Sequence, residues 1–171
     1  MRLEAQELKC MDCGKKFSAP GLGDFNYGSF IFVGEKGNVF GRFQALGNPT
    51  WDFIDTVLKE NQPRPKDAID HGSHVQNACA HFADAIKGQR LCNHHVCPRC
   101  CSTNVEPVCP LKEMLEVPVV THTEFLSLPE AVRRQRVLEF HESTFLREAA
   151  CAMFKEIDRE EELNTRRKPR S

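Results

Sequence analysis

The sequence predicts an α+β fold in which two cysteine pairs, far apart in the chain, clamp the base of an inserted β-hairpin and two helices, with a long C-terminal helix following. Three observations predict it. Cys10 and Cys13 form one C-x2-C pair and Cys97 and Cys100 form another. Between them, an aromatic and β-branched segment with a glycine-bearing turn gives way to two stretches of helical periodicity. Beyond them, a helix-start signal at Ser127 opens an apolar stripe that continues to Ile157.

Taken in order, residues 17–27 after the first pair carry Pro20, Gly21, Gly23, Asp24 and Asn26 among few apolar side chains, which is loop composition. Ser29 to Val33 and Asn38 to Leu46 are rich in Phe, Ile and Val, and the turn Gly34-Glu35-Lys36-Gly37 supplies residues that tolerate positive φ, so a hairpin is expected. Asn48 before Pro49 is an N-cap followed by a first-turn proline, and Trp51, Ile54, Val57 and Leu58 recur at helical spacing. Pro63 and Pro65 then mark a connector. Val75, Ala78, Cys79, Phe82, Ala85 and Ile86 predict a second helix from about Ser73 to Lys87, with Gly88 placed as its C-cap.

Pro98, Pro107 and Pro110 exclude a long helix from the segment between Cys92 and Cys109, and Val117 to Thr121 reads as a short strand. Ser127-Leu-Pro-Glu130 then starts a helix that is expected to reach about Leu163, with a bend near 141–144. The resulting organisation is a domain over 1–125 containing the insertion 17–96, a helical region over 126–163, and a basic, solvated tail over 164–171. There is no internal repeat.

Composition narrows the function classes. Lys and Arg number 23 against 24 Asp and Glu, so the formal charge of -1 exerts no global pull toward nucleic acid or an anionic membrane. Met1 to Cys10 lacks the apolar core of a signal peptide, and no apolar run approaches the ~20 residues of a membrane-spanning helix, so a cytoplasmic protein is expected. In that compartment nine cysteines stay reduced, and closely spaced pairs read as metal ligands ahead of disulfides.

The chemistry of the pairs points to zinc. A tetrahedral Zn2+ takes four ligands, and a C-x2-C loop followed by a residue that permits a tight turn supplies two of them at the correct bite, as in Cys10-Met-Asp-Cys13-Gly14. Cys97-Pro-Arg-Cys100 is the second loop, with Cys101 standing where glycine is commonest. The two loops resemble those of zinc-ribbon proteins, over about 20 residues of the chain. That resemblance implies one structural Zn2+ on Cys10, Cys13, Cys97 and Cys100, and a ribbon split by the long insertion. A crosslink of that reach shrinks the unfolded ensemble. Cys92, His94, His95 and Cys109 are further donors close in sequence, enough for a second ion, although the favoured reading packs Cys92 and Cys109 under the second loop and turns the two histidines to solvent.

Catalysis finds little support. On a continuous helix His71, His74 and His81 share one broad face, which can serve a metal-dependent nuclease or hydrolase, but Gly72 is expected to interrupt that helix. Asp70-His71 and Asn93 imitate part of an HNH-type nuclease, whose pattern then fails at Cys101. The zinc deaminase signature lacks its glutamate after His81, and no P-loop or nucleophile elbow is present.

Binding readings remain. The first expectation is a non-catalytic zinc-binding protein that acts as an interaction, adaptor, regulatory or inhibitory subunit, its partner meeting Phe145, Leu146, Phe154 and Ile157 on the C-terminal helix. The alternative is a nucleic-acid-binding ribbon using Lys15, Lys16, Arg90 and Arg99, with Phe17 or Tyr27 as stacking groups.

Overall fold

The computed structural model describes residues 1–23, 27–61 and 68–144. Strands and helices are both present, arranged around two small antiparallel sheets. The first sheet has the order β2-β1-β6, from β1 (Arg2–Cys10), β2 (Lys16–Pro20) and β6 (Val105–Glu116). The second has the order β4-β3-β5, from β3 (Ser29–Gly34), β4 (Phe40–Gln44) and β5 (Leu91–Cys92).

In β1, Leu3 and Ala5 are buried, then Leu8 and Cys10. The two-residue period slips once between these sets, in the stretch where β6 bulges against β1 between Glu4 and Gln6 and again between Glu7 and Leu8. Pro107 and Pro110 sit at these irregular positions, opposite Leu8 and Gln6. A proline cannot donate to the ladder, and a bulged edge strand is where its absence is tolerated. The expected loop over 17–27 is therefore corrected in part: residues up to Pro20 form β2, paired from Lys9 opposite Lys16 to Ala5 opposite Pro20.

The expected hairpin is present as β3 and β4, with Phe32 opposite Gly41 and Ser29 opposite Gln44. Helix α1 (Pro49–Asn61) begins where Asn48 Oδ1 accepts the backbone N–H groups of Thr50 at 2.9 Å and Trp51 at 3.3 Å, the capping role read from the sequence. Helix α2 (Ala68–His81) differs from expectation at both ends. It starts earlier and passes unbroken through Gly72, and it stops at His81, after which Asp84 N turns away to Thr121 O at 2.8 Å and Lys87 and Gly88 take positive φ of 50° and 73° in a tight turn closed between Ile86 and Gln89. Ala85 and Ile86 thus lie beyond the helix.

The strand expected at 117–121 is reduced to a bridge between Val119 and Arg42, while the long strand in that region is β6. A short helix α3 (Thr123–Leu126) follows, its first N–H groups held by Asp84: the carboxylate accepts from Thr123 N at 2.7 Å and Glu124 N at 3.1 Å. Residues 130–144 are helical (α4), and the rest of the expected C-terminal helix and tail lies outside the described residues.

One core joins these parts. Phe32, Phe43, Ile54, Val57, Leu58, Val75, Ala78 and Val137 are buried together, so β3, β4, α1, α2 and α4 pack on one another. Phe43 is at its centre, with ring centroids 5.1 Å from Phe32, 6.4 Å from Phe30 and 6.3 Å from Trp51. Such aromatic contacts add to the area term of burial. Among the described residues, no helix is long and apolar enough to cross a membrane.

Candidate metal centre

The two cysteine loops are built alike. In the first, Gly14 N donates to Cys10 O at 2.9 Å and Cys10 N to Lys15 O at 2.9 Å. In the second, Cys101 N donates to Cys97 O at 2.9 Å and Cys97 N to Ser102 O at 2.8 Å. The turn requires left-handed backbone one residue after the second cysteine, and Gly14 meets it at φ 71° without steric cost. Cys101 meets it at φ 58°, a conformation that costs a residue bearing a Cβ roughly 1–2 kcal/mol. The departure from glycine noted in the sequence is therefore accepted with strain and no change of turn.

Strand pairing brings the loops side by side. β1 ends at Cys10, which lies opposite Val105 at the start of β6, and Met11 N donates to Asn104 O at 2.9 Å. Asp12, inside the first loop, accepts Ser102 Oγ at 2.5 Å and Asn104 Nδ2 at 2.8 Å. These two donors hold its carboxyl below the ordinary range. The three residues were not singled out from sequence; their only signal was a carboxylate within one C-x2-C loop and a Ser-x-Asn run after the other.

The second loop is also braced by the insertion. At the β3–β4 turn, Gly37 has φ 69°, and a Cβ there would overlap the Val96 carbonyl oxygen and lie 2.8 Å from its carbon and 3.1 Å from Pro98 N. The hairpin turn thus presses backbone to backbone on both sides of Cys97. Gln89 ties the same region, accepting Lys36 N at 3.1 Å and donating to Asn38 Oδ1 at 2.9 Å.

Cys10, Cys13, Cys97 and Cys100 converge so that their four sulfurs all lie within 4.8 Å of one another, and the group can hold a metal ion. Cys10 and Cys100 sulfurs are 3.6 Å apart, as are those of Cys13 and Cys97. A tetrahedron with metal–sulfur bonds of about 2.3 Å has edges of about 3.8 Å, so the spacing suits four thiolates around one ion. Cys10 and Cys97 are buried, Cys13 is partly buried and Cys100 is exposed.

The thiols of Cys97 and Cys100 are pushed in opposite directions. Burial opposes ionisation of Cys97, but the N–H groups of Arg99 and Cys100, with the Cys13 and Cys100 thiols, bring it down to about 6. The Ser102 N–H favours a Cys100 thiolate, yet sharing protons with Cys13, Cys10 and Cys97, together with burial, pushes it up to about 12. The Cys97 thiolate thus forms readily and that of Cys100 is resisted. Full ionisation of such a crowded set requires a cation in its midst.

The other expected ligands are not gathered in this way. Among the described residues, the four cysteines are the one group of three or more His, Cys, Asp or Glu placed to share an ion. Cys92 lies apart, its thiol donating to the carbonyls of Val33 at 3.2 Å and His94 at 3.4 Å, and Cys109 is exposed on β6 opposite Glu7. Burial first, and the neighbouring His94 second, lower the pKa of His95.

The three histidines of α2 go to three different surroundings. His71 Nε2 is 2.7 Å from Asp55 Oδ1 on α1, His74 meets His141 with ring centroids 5.7 Å apart, and His81 lies 4.7 Å from the Phe140 ring. Cys79 is buried in the core, where desolvation pushes its thiol up. Phe145, Leu146, Phe154 and Ile157 lie outside the described residues. Comparison of the chain with protein-family models, with curated proteins and with solved structures gave no match.

Proposed function

We propose that this is a non-catalytic, zinc-dependent interaction protein: a split zinc ribbon whose single Zn2+, on Cys10, Cys13, Cys97 and Cys100, clips the inserted hairpin and helices in place. The observation that carries the reading is the closed set of four sulfurs supplied by two equivalent loops. Four protein thiolates leave no open coordination position for substrate or water, which is the mark of a structural site, and an all-sulfur tetrahedron suits zinc among the common divalent ions.

An adaptor, regulatory or inhibitory role is supported by apolar side chains that the fold leaves uncovered along the β4 edge. Tyr27 is 86% exposed, Val119 63% and Leu46 60%. Tyr27 and Leu46 are neighbours, since the Leu46 side chain packs by Gly28 and Gln44 Nε2 donates to Tyr27 O, and Val119 bridges Arg42 further along β4. Uncovered aromatic and branched residues grouped in this way fit a protein partner better than a phosphate backbone.

Elemental analysis and native mass spectrometry of the protein purified from its own cells test the proposal. One zinc per chain and a stoichiometric protein partner are expected, with the partner lost and the zinc kept in the double variant Leu46→Asp, Val119→Asp. A folded protein free of metal would overturn the zinc site, iron in its place would change the ion, and bound nucleic acid released by salt would replace the interaction reading with the nucleic-acid one.

A further inference from the structure

A cleft of about 560 Å3 lies between the end of α2, α3 and α4, and none of the four cysteines lines it. Its volume is that of an ordinary small-molecule site. The floor is aromatic: Phe82 stacks on Phe125 with centroids 4.6 Å apart and lies 5.8 Å from Phe140, which in turn has His81 at 4.7 Å. These rings come from three separate elements.

Arg90 and Arg136 also line the cleft, and among the described residues neither guanidinium makes a hydrogen bond or ion pair. Most surface guanidinium groups are solvated singly, whereas these two face one concavity. Two carboxylates, Glu124 and Glu139, share the lining, and Glu139 is occupied by the Gln135 amide at 2.9 Å. His81 stands beside them, its pKa lowered first by burial and second by the charge of Arg90.

We propose that this cleft binds a small planar anion, an aromatic carboxylate or phosphomonoester whose ring lies against the partly exposed Phe82 and Phe140, with the buried Phe125 backing Phe82, and whose acidic group meets Arg90 and Arg136. Flat apolar surface supplies the area for a ring, and guanidinium forks match carboxylate and phosphate oxygens in pairs. The site is independent of the zinc centre, so its failure would leave that reading untouched.

Isothermal titration of the full chain with 2-naphthoate and with adenosine 5′-monophosphate tests it, against 2-naphthylmethanol and adenosine as uncharged counterparts and inorganic phosphate as the ring-free anion. At least one planar anion is expected to saturate, about tenfold or more tightly than its uncharged counterpart and than phosphate. Arg90→Gln and Arg136→Gln are each expected to weaken it about fivefold or more without moving the melting temperature, since both side chains are exposed. The proposal is overturned if neither anion saturates in the millimolar range, if the uncharged analogue or phosphate binds as tightly, or if both arginine variants bind like the wild type.

Discussion

Treatment with a chelator tests the proposed zinc site most directly, and the least that loss of the ion should cost follows from the geometry. The contact between Cys13 and Cys97 closes 84 positions of chain. Treated as a crosslink of that length, the clip removes loop-closure entropy from the unfolded state worth roughly 4.5 kcal/mol at 25 °C. Cys10 and Cys100 close nearly the same loop and add little to that term. For a chain of 171 residues this corresponds to a fall in melting temperature of roughly 10–20 °C. The bonds to the ion add to it, so the figure is a floor.

Calorimetry with and without a zinc chelator, with metal content measured on the same samples, reads the effect, and Cys100→Ser should reproduce much of it without chelator. If the metal is demonstrably gone and the melting curve does not move, the insertion is held by its own packing and the argument from loop closure is refuted.

Four further outcomes are expected. Gly37→Ala should destabilise by about 2 kcal/mol or more and weaken metal binding, because strain at φ 69° is joined by overlap with the Val96 backbone; Gly47→Ala, at φ 70° with nothing within 4 Å, should cost only the strain, and equal losses in denaturant titrations would sink the distinction. Cys101→Gly should raise stability by up to about 1 kcal/mol, since relief of the left-handed strain exceeds the entropy glycine adds to the unfolded chain; a lower melting temperature would argue against it. Phe43→Ala should cost about 3–5 kcal/mol in urea unfolding, and a loss under 1 kcal/mol would show that the core closes around the gap.

The fourth concerns acid. Burial of Asp84 favours its protonated form, but the Thr121 hydroxyl and the N–H groups of Glu124 and Thr123 bring its pKa down to about 2. A depressed folded value means that its contribution is complete above the unfolded value near 4 and is lost as pH falls through about 2. Asp84→Asn should therefore be less stable at neutral pH and show a shallower decline in melting temperature between pH 4 and 2; parallel declines would remove Asp84 from the acid response.

The convergence of the four cysteines was legible because a C-x2-C loop states its geometry locally, and the β3–β4 hairpin and α1 because Gly34 to Gly37 and Asn48-Pro49 carry their turn and cap chemistry within a few residues. β1 and β6 were not, since each breaks a rule used to find strands. The alternation of Leu3, Ala5, Leu8 and Cys10 slips once, and Pro107 and Pro110 stand inside a strand that is bulged and mostly exposed. At the end of α2, Gly88 looked like a C-cap, but its positive φ serves a turn with Lys87, and tertiary pairing decided between the two uses. The contact of Gly37 with Val96 joins residues 59 positions apart, which no local pattern can reveal.

That contact has a consequence for anyone trying to miniaturise the molecule. A shortened chain joining Pro20 directly to Leu91 would retain every sulfur donor yet take away the wall on which the backbone around Cys97 leans. The excised piece is thus half of the mould in which the second loop is cast, and a minimal metal-binding version would have to carry the strip from Gly34 to Val39 along with it.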